Sequence, residues 1–182
     1  MKLVICISGS AGTGKTTQAK IIAKKYGLKY ASAGSIFRDI AKERGLSLEQ
    51  LSAHVLDDTS IDVEIDKRTR KLAEEGNIVL EGRLTAWMTK GIDAFRIYLK
   101  CPLETEIRRV AERDRKSLAE ARTETLSREE SERIRYKKLY GIDISDLSIY
   151  DIVLNTDIYP IESVTRILIT AIDEYISNMS KR

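Results

Sequence analysis

The chain has 182 residues, of which 42% are apolar and 32% charged, and its formal net charge is +3. This is the length of one domain, with enough apolar surface to bury a core without staples, and the charge is too weak for a general nucleic-acid-binding footprint. The apolar run at residues 3–7 (LVICI) is too short for a membrane span or for the apolar region of a signal peptide. The expectation is a monomeric cytoplasmic protein with no membrane or nucleic-acid partner. Cys6 and Cys101 read as reduced packing residues. His54, the single histidine, reads as a structural or surface residue, which leaves no Ser-His-Asp triad and no histidine-rich metal site.

In chain order, residues 2–8 (KLVICIS) predict a buried strand, because a short run rich in β-branched residues suits a parallel strand covered on both faces. A glycine-rich turn follows. Ala19, Ile22 and Ala23 then recur at helical spacing over residues 15–26, with Gly27 as the stop. A short second strand is expected at 28–31, a helix at 35–44 ended by Gly45, and another opened by the capping pattern Ser47-x-x-Gln50. Ile61, Ile65 and Leu72 continue a helical period towards Gly76. Strands are expected at 78–80, 95–99 and 152–154. Pro102 suits the first turn of a helix over residues 103–114, the charged stretch to Tyr140 reads mostly as helix, and Pro160 starts the last one. Strands alternating with helices signal a parallel sheet covered on both faces. The fold class is α/β, a three-layer arrangement with a five-stranded parallel sheet.

Gly9-Ser10-Ala11-Gly12-Thr13-Gly14-Lys15-Thr16 satisfies G-x-x-x-x-G-K-[ST] between a predicted strand and a predicted helix, the setting that this phosphate loop requires. Its glycines let successive N–H groups turn inward as an anion nest, and the helix that follows points its positive end at the same spot. The donor site for a nucleoside triphosphate is therefore expected at residues 8–17, with Ser8 and Thr17 flanking the motif. Lys15 is placed to reach the β- and γ-phosphates and Thr16 to offer its hydroxyl to Mg²⁺.

A phosphate loop does not name a reaction. Residues 108–138 hold 11 Lys and Arg against 7 Asp and Glu, so the positive charge is gathered in one segment. Arg83 directly follows the third strand, on the sheet edge where ligands bind in open α/β folds. Arg38 lies on the helix after Gly34. Two guanidinium groups converging on a second phosphate would recognise it in a planar, bidentate way. Arg109 and Arg113 stand one turn apart on one helix face. Arg128, Glu132 and Arg135 share another. Such faces are also what a solvated helix with local ion pairs presents, and the local charge excess favours an anion-binding lid.

Four blocks carry a resemblance: the phosphate loop, Gly34-Ser-Ile-Phe-Arg38, Leu80-Glu81-Gly82-Arg83, and Arg128-Glu-Glu-Ser-Glu132-Arg-Ile-Arg135-Tyr136. Together they resemble the nucleoside monophosphate kinases. With Tyr140-Gly-Ile-Asp143 and Ser148-Ile-Tyr-Asp151, the chain is similar over nearly its whole length to the short archaeal-type cytidylate kinases. The resemblance implies a P-loop fold with a core at residues 1–32, 77–108 and 141–182, a monophosphate-binding segment at 33–76 and a lid at 109–140. It implies Mg²⁺-assisted transfer of the γ-phosphoryl of ATP to CMP or dCMP.

Under that resemblance Gly34, Arg38, Arg83, Arg128, Glu132 and Arg135 match the monophosphate site, to which Asp66 is added from its place on the helix after Thr59. Lys15, Arg109, Arg113, Arg128 and Arg135 match the catalytic cations, and Glu81 would join Thr16 at Mg²⁺ through water. Two positions depart from the pattern: Glu81 stands where related kinases often have Asp, and Ala33 where bacterial cytidylate kinases carry a base-contacting Ser. The cytosine contacts must then differ, with Asp62, Asp66 and Arg70 as candidates. The alternatives are the same fold acting on AMP, UMP or shikimate, and a P-loop ATPase or switch.

Overall fold

The computed structural model describes residues 2–47, 50, 51 and 59–179; His54 lies outside the described residues. Five strands form one fully parallel sheet in the order β2-β3-β1-β4-β5. They are β1 (Val4–Gly9), β2 (Lys29–Ser32), β3 (Ile78–Glu81), β4 (Phe95–Lys100) and β5 (Ile152–Asn155). The helices are α1 (Lys15–Tyr26), α2 (Ala33–Glu43), α3 (Ser60–Glu75), α4 (Thr85–Met88), α5 (Leu103–Asp114), α6 (Leu118–Tyr140) and α7 (Ile161–Met179). Among the described residues no helix is long and apolar enough to cross a membrane.

β1 is central and all six of its residues are buried, as its uninterrupted apolar run requires. Its side chains divide between two layers. Ile5 and Ile7 pack with Ala19 and Ile22 of α1 and with Leu168 and Ile172 of α7. Val4 and Cys6 face the opposite way, with Ile78, Leu80 and Ala73. Cys6 rests against Thr85 and Thr89, and burial pushes its thiol up to about 11, so it packs and does not react. Both cysteines are free.

Two smaller clusters lie beside the sheet. Ile36, Ile40, Leu51 and Ile61 join α2 to α3, and Ile107, Val110, Ala111 and Ala121 join α5 to α6. These are the segments expected to hold the monophosphate and to form the lid. α5 runs unbroken to Asp114, and the turn into α6 falls at Arg115, a non-glycine residue at φ 55°.

Among the described residues the expected elements are present with shifted ends, while most of the helix expected after Ser47 lies outside the described residues. α2 starts at Ala33, two residues earlier than its sequence suggested, because Ser32 and Ser35 form a reciprocal capping box. The Ser47 N–H and hydroxyl make the same exchange with Gln50, at 2.8 and 3.1 Å. The one-turn helix α4 had no periodic signal to announce it.

Candidate active site

The register sets the site. Ile7 pairs with Glu81, and Glu81 with Ser32, so three neighbouring strands end level. The phosphate loop after β1, Arg83 after β3 and the first turn of α2 all open on one edge. They line a cleft of about 1110 Å³ together with residues of α5, α6 and the β5–α7 connection.

On the donor side, Gly14 caps α1 at φ 86°, a left-handed conformation that other residues adopt at a cost. The Lys15 ammonium donates to the Ser10 carbonyl. Desolvation pulls that ammonium down to about 8, opposed by Glu81. The Thr16 hydroxyl donates to Glu81 at 3.0 Å, and the Tyr30 hydroxyl donates to the other Glu81 oxygen at 2.7 Å. A hydroxyl and a carboxylate side by side are hard oxygen donors that suit Mg²⁺ arriving with phosphate and water ligands.

Gly9, Ala11, Gly12, Thr13, Gly14, Lys15, Thr16 and Thr17 line the cleft, but the Ser8 and Ser10 side chains do not. Ser8 is fully buried and shares a hydrogen bond with Thr85 at 3.1 Å. It belongs to the strand, where alternation turns it inward. Ser10 donates to Glu106.

On the acceptor side, Arg83 donates to Glu132 at 2.7 Å and to Glu129 at 2.6 Å. Arg128 donates to the other Glu132 oxygen at 2.8 Å. Glu132 is only 5% exposed. Burial would raise its carboxyl, and the Arg83 and Arg128 cations win, holding it below the usual range. Glu132 is thus held between Arg128 and Arg83, not between Arg128 and Arg135 as the spacing on the helix suggested. Gly34 and the exposed Arg38 stand across the cleft.

Arg135 and Asp66 are not brought to the cleft. Arg135 shares the helix face of Arg128 but sits seven residues, roughly 10 Å, further along α6. There its Nε stands 2.9 Å from Asp62, an ion pair not aligned as a hydrogen bond. Asp66 instead accepts from Tyr140 at 2.6 Å. Arg70 donates to the Met88 and Lys90 carbonyls and pairs with Glu74, away from the residues that line the cleft.

Arg109 and Arg113 line the cleft in different ways. Arg109 donates to the Gly12 carbonyl at 3.2 Å and to the Thr156 carbonyl at 3.0 Å. Arg113 is mostly exposed and forks onto its neighbour Asp114, with both contacts at 2.7 Å.

Sequence reasoning missed Tyr30, Glu106, Glu129 and Thr156. None has a local signal, since each acts on a residue 46 to 143 positions away. Glu129 alone could have been suspected, because it lies on the face of α6 that carries Glu132.

Residues 4–158 match the cytidylate kinase-like family. Over 174 residues the chain is 49% identical to a cytidylate kinase of Staphylothermus marinus, covering 96% of this chain and 98% of that protein. It is 48% identical over 172 residues to a cytidylate kinase of Pyrococcus horikoshii, covering 94% and 89%. Among solved structures, an uncharacterized protein from Eubacterium ventriosum superposes with a TM-score of 0.74 at 19% identity, over 94% of this chain and 99% of that one. A shikimate kinase from Bacteroides thetaiotaomicron gives 0.64 at 15% identity, over 95% and 99%. At such identities these two structures speak for the fold alone.

Proposed function

This chain belongs to the cytidylate kinase-like family, and on that premise we propose that it is a nucleoside monophosphate kinase that moves the γ-phosphoryl of ATP to CMP and dCMP. The observation that carries the reading is the single cleft in which the phosphate loop faces Arg38, Arg83 and Arg128. A triphosphate on the loop and a phosphate on those arginines would meet across it.

An oxygen of the acceptor phosphate attacks the γ-phosphorus, and the bond to the β–γ bridging oxygen breaks. The attacking oxygen is already anionic, so no general base is needed. The obstacle is electrostatic: two like charges at 4 Å cost about 4 kcal/mol at an effective dielectric near 20. Lys15 follows the donor's terminal phosphate, while Arg38, Arg83 and Arg128 hold the acceptor. Arg113, on the cleft wall and forked onto Asp114, would turn inward as α5 and α6 close. Closure excludes water that would otherwise hydrolyse ATP. Thr16 and, through water, Glu81 would hold Mg²⁺, which neutralises phosphate charge when bound.

The carboxylates of Glu129 and Glu132 pair with Arg83, and Glu132 also with Arg128; the acceptor phosphate would take over part of that pairing. One chain supplies every group named, which supports action as a monomer. Two free cysteines are in keeping with the reducing cytoplasm.

A coupled assay with ATP against CMP, dCMP, AMP, UMP and shikimate tests the reading. CMP and dCMP are expected to be turned over at least tenfold more efficiently than the others. Preference for any other acceptor would reassign the substrate, and acceptor-independent hydrolysis alone would mark an ATPase. In the same assay Arg38→Ala should raise the Michaelis constant for CMP about tenfold and leave that for ATP nearly unchanged. An effect confined to ATP would remove Arg38 from the acceptor site.

A further inference from the structure

Glu106 has no part in the reading above, yet it is 6% exposed and touches the phosphate loop. It stands in the first turn of α5, where the positive end of the helix favours a carboxylate. It accepts the hydroxyl proton of Ser10. The Ser10 carbonyl in turn accepts from the Lys15 ammonium and, at 2.9 Å, from the Thr13 hydroxyl. Ser10 is thus a junction with a carboxylate on one side and the loop's cation on the other.

The packing is close as well. A side chain at Gly12 would meet the Glu106 backbone carbonyl at 2.7 Å, so α5 lies directly on the loop. The Glu106 carboxylate also feels the charges of Glu129, Arg83 and Lys15.

We propose that Glu106 is a positioning residue of the donor site, holding Ser10 so that the loop keeps its phosphate-binding shape and Lys15 its resting place. The inference rests on the donor half of the proposed function and does not depend on the identity of the acceptor. Two effects compete at this position. A carboxylate near a triphosphate repels it, while a carboxylate that orders the loop helps to bind it. The buried hydrogen bond, which bulk water cannot replace, favours ordering.

Calorimetric titration of Mg·ATP without acceptor separates these effects. Glu106→Ala should weaken ATP binding about tenfold, and Glu106→Gln, which keeps an accepting oxygen, should bind within about threefold of the unsubstituted chain. Ser10→Ala should reproduce the loss, and the double variant should lose no more than either single one. In turnover assays the Michaelis constant for CMP should stay put in Glu106→Ala, a split that general unfolding would not produce. Equal or tighter ATP binding by Glu106→Ala would overturn the proposal, as would additive losses in the double variant. Binding is read without acceptor, so a chain that ignores CMP but shows this pattern would sink the substrate assignment alone. A chain active on CMP whose Glu106→Ala variant binds ATP normally would sink only this inference.

Discussion

Lys15 answers two opposed demands. A cation that must meet phosphates is best kept dry, because its attraction grows as water is excluded, yet drying also weakens its hold on the proton. Desolvation accordingly brings the ammonium down to about 8 against the support of Glu81. The bound triphosphate favours the charged form, so binding above that pH must be coupled to proton uptake. The sign is fixed: the free lysine is charged below about 8 and neutral above, so affinity for ATP is retained at pH 7 and lost as pH rises. Titration calorimetry should find Mg·ATP bound about tenfold more weakly at pH 9 than at pH 7, with that trend abolished in Lys15→Gln. A flat profile in the unsubstituted chain would show that Lys15 stays charged throughout.

At the scale of elements, α6 has the most to organise. It carries Arg128, Glu129 and Glu132 into the cleft and Arg135 and Tyr140 out to α3. Its polar sequence gives it little burial of its own. It is anchored by Ala121 against α5 and started by the capping box of Ser117 and Glu120, whose backbone N–H groups each meet the other's side chain at 2.9 and 3.2 Å. Loss of such a cap costs about 1 kcal/mol, which in a chain of this size shifts Tm by roughly 2–4 °C. Ser117→Ala should lower Tm by that amount in a calorimetric scan and leave ATP affinity unchanged, since Ser117 caps α6 through Glu120 and is not among the residues that line the cleft. An unchanged Tm would mean that packing against α5 alone starts the helix.

Across the whole molecule, distant segments are tied together where α3 meets the end of α6. Tyr140 donates to Asp66, and Arg135 pairs with Asp62, over 73 or more positions of sequence. Burial holds the Asp66 carboxyl up at about 6, with Asp62 adding to the shift and Tyr140 and Arg135 opposing it. Unfolded, the same carboxyl ionises near 3.8. Below that pH both states are protonated and Asp66 costs nothing. Between about 3.8 and 6 the unfolded state has lost a proton that the folded state still holds, so stability falls across that window and levels off above it. At 1.36 kcal/mol per unit the penalty at neutral pH is at most about 3 kcal/mol. Asp66→Asn should therefore unfold several degrees higher than the unsubstituted chain at pH 8 and no higher at pH 4. A variant less stable at pH 8 would mean that the charged carboxylate is needed by Tyr140 and Arg135.

What could be read along the chain was whatever has a local cause. The five strands are short apolar runs, and β1 is legible because burial on both faces demands an unbroken one. α1 begins and ends where expected because Gly14 and Gly27 supply left-handed caps within the same segment. The phosphate loop and the cleft-lining Arg38 and Arg83 were legible as residue types beside strand and helix ends. The blocks Tyr140–Asp143 and Ser148–Asp151 carried the resemblance, yet their acids turn out to shape backbone. Asp143 holds the turn at Ser145, and Asp151 accepts from the Arg96 N–H beside the start of β5. Only the tertiary structure decided which charges meet. It sent Arg128 and Arg135, neighbours on one helix face, to different partners, and it placed Glu106, from a helix nearly a hundred residues on, against Ser10. Periodicity and turn chemistry act over a few residues, whereas the choice of partner for a long charged side chain depends on what the sheet order brings within its reach.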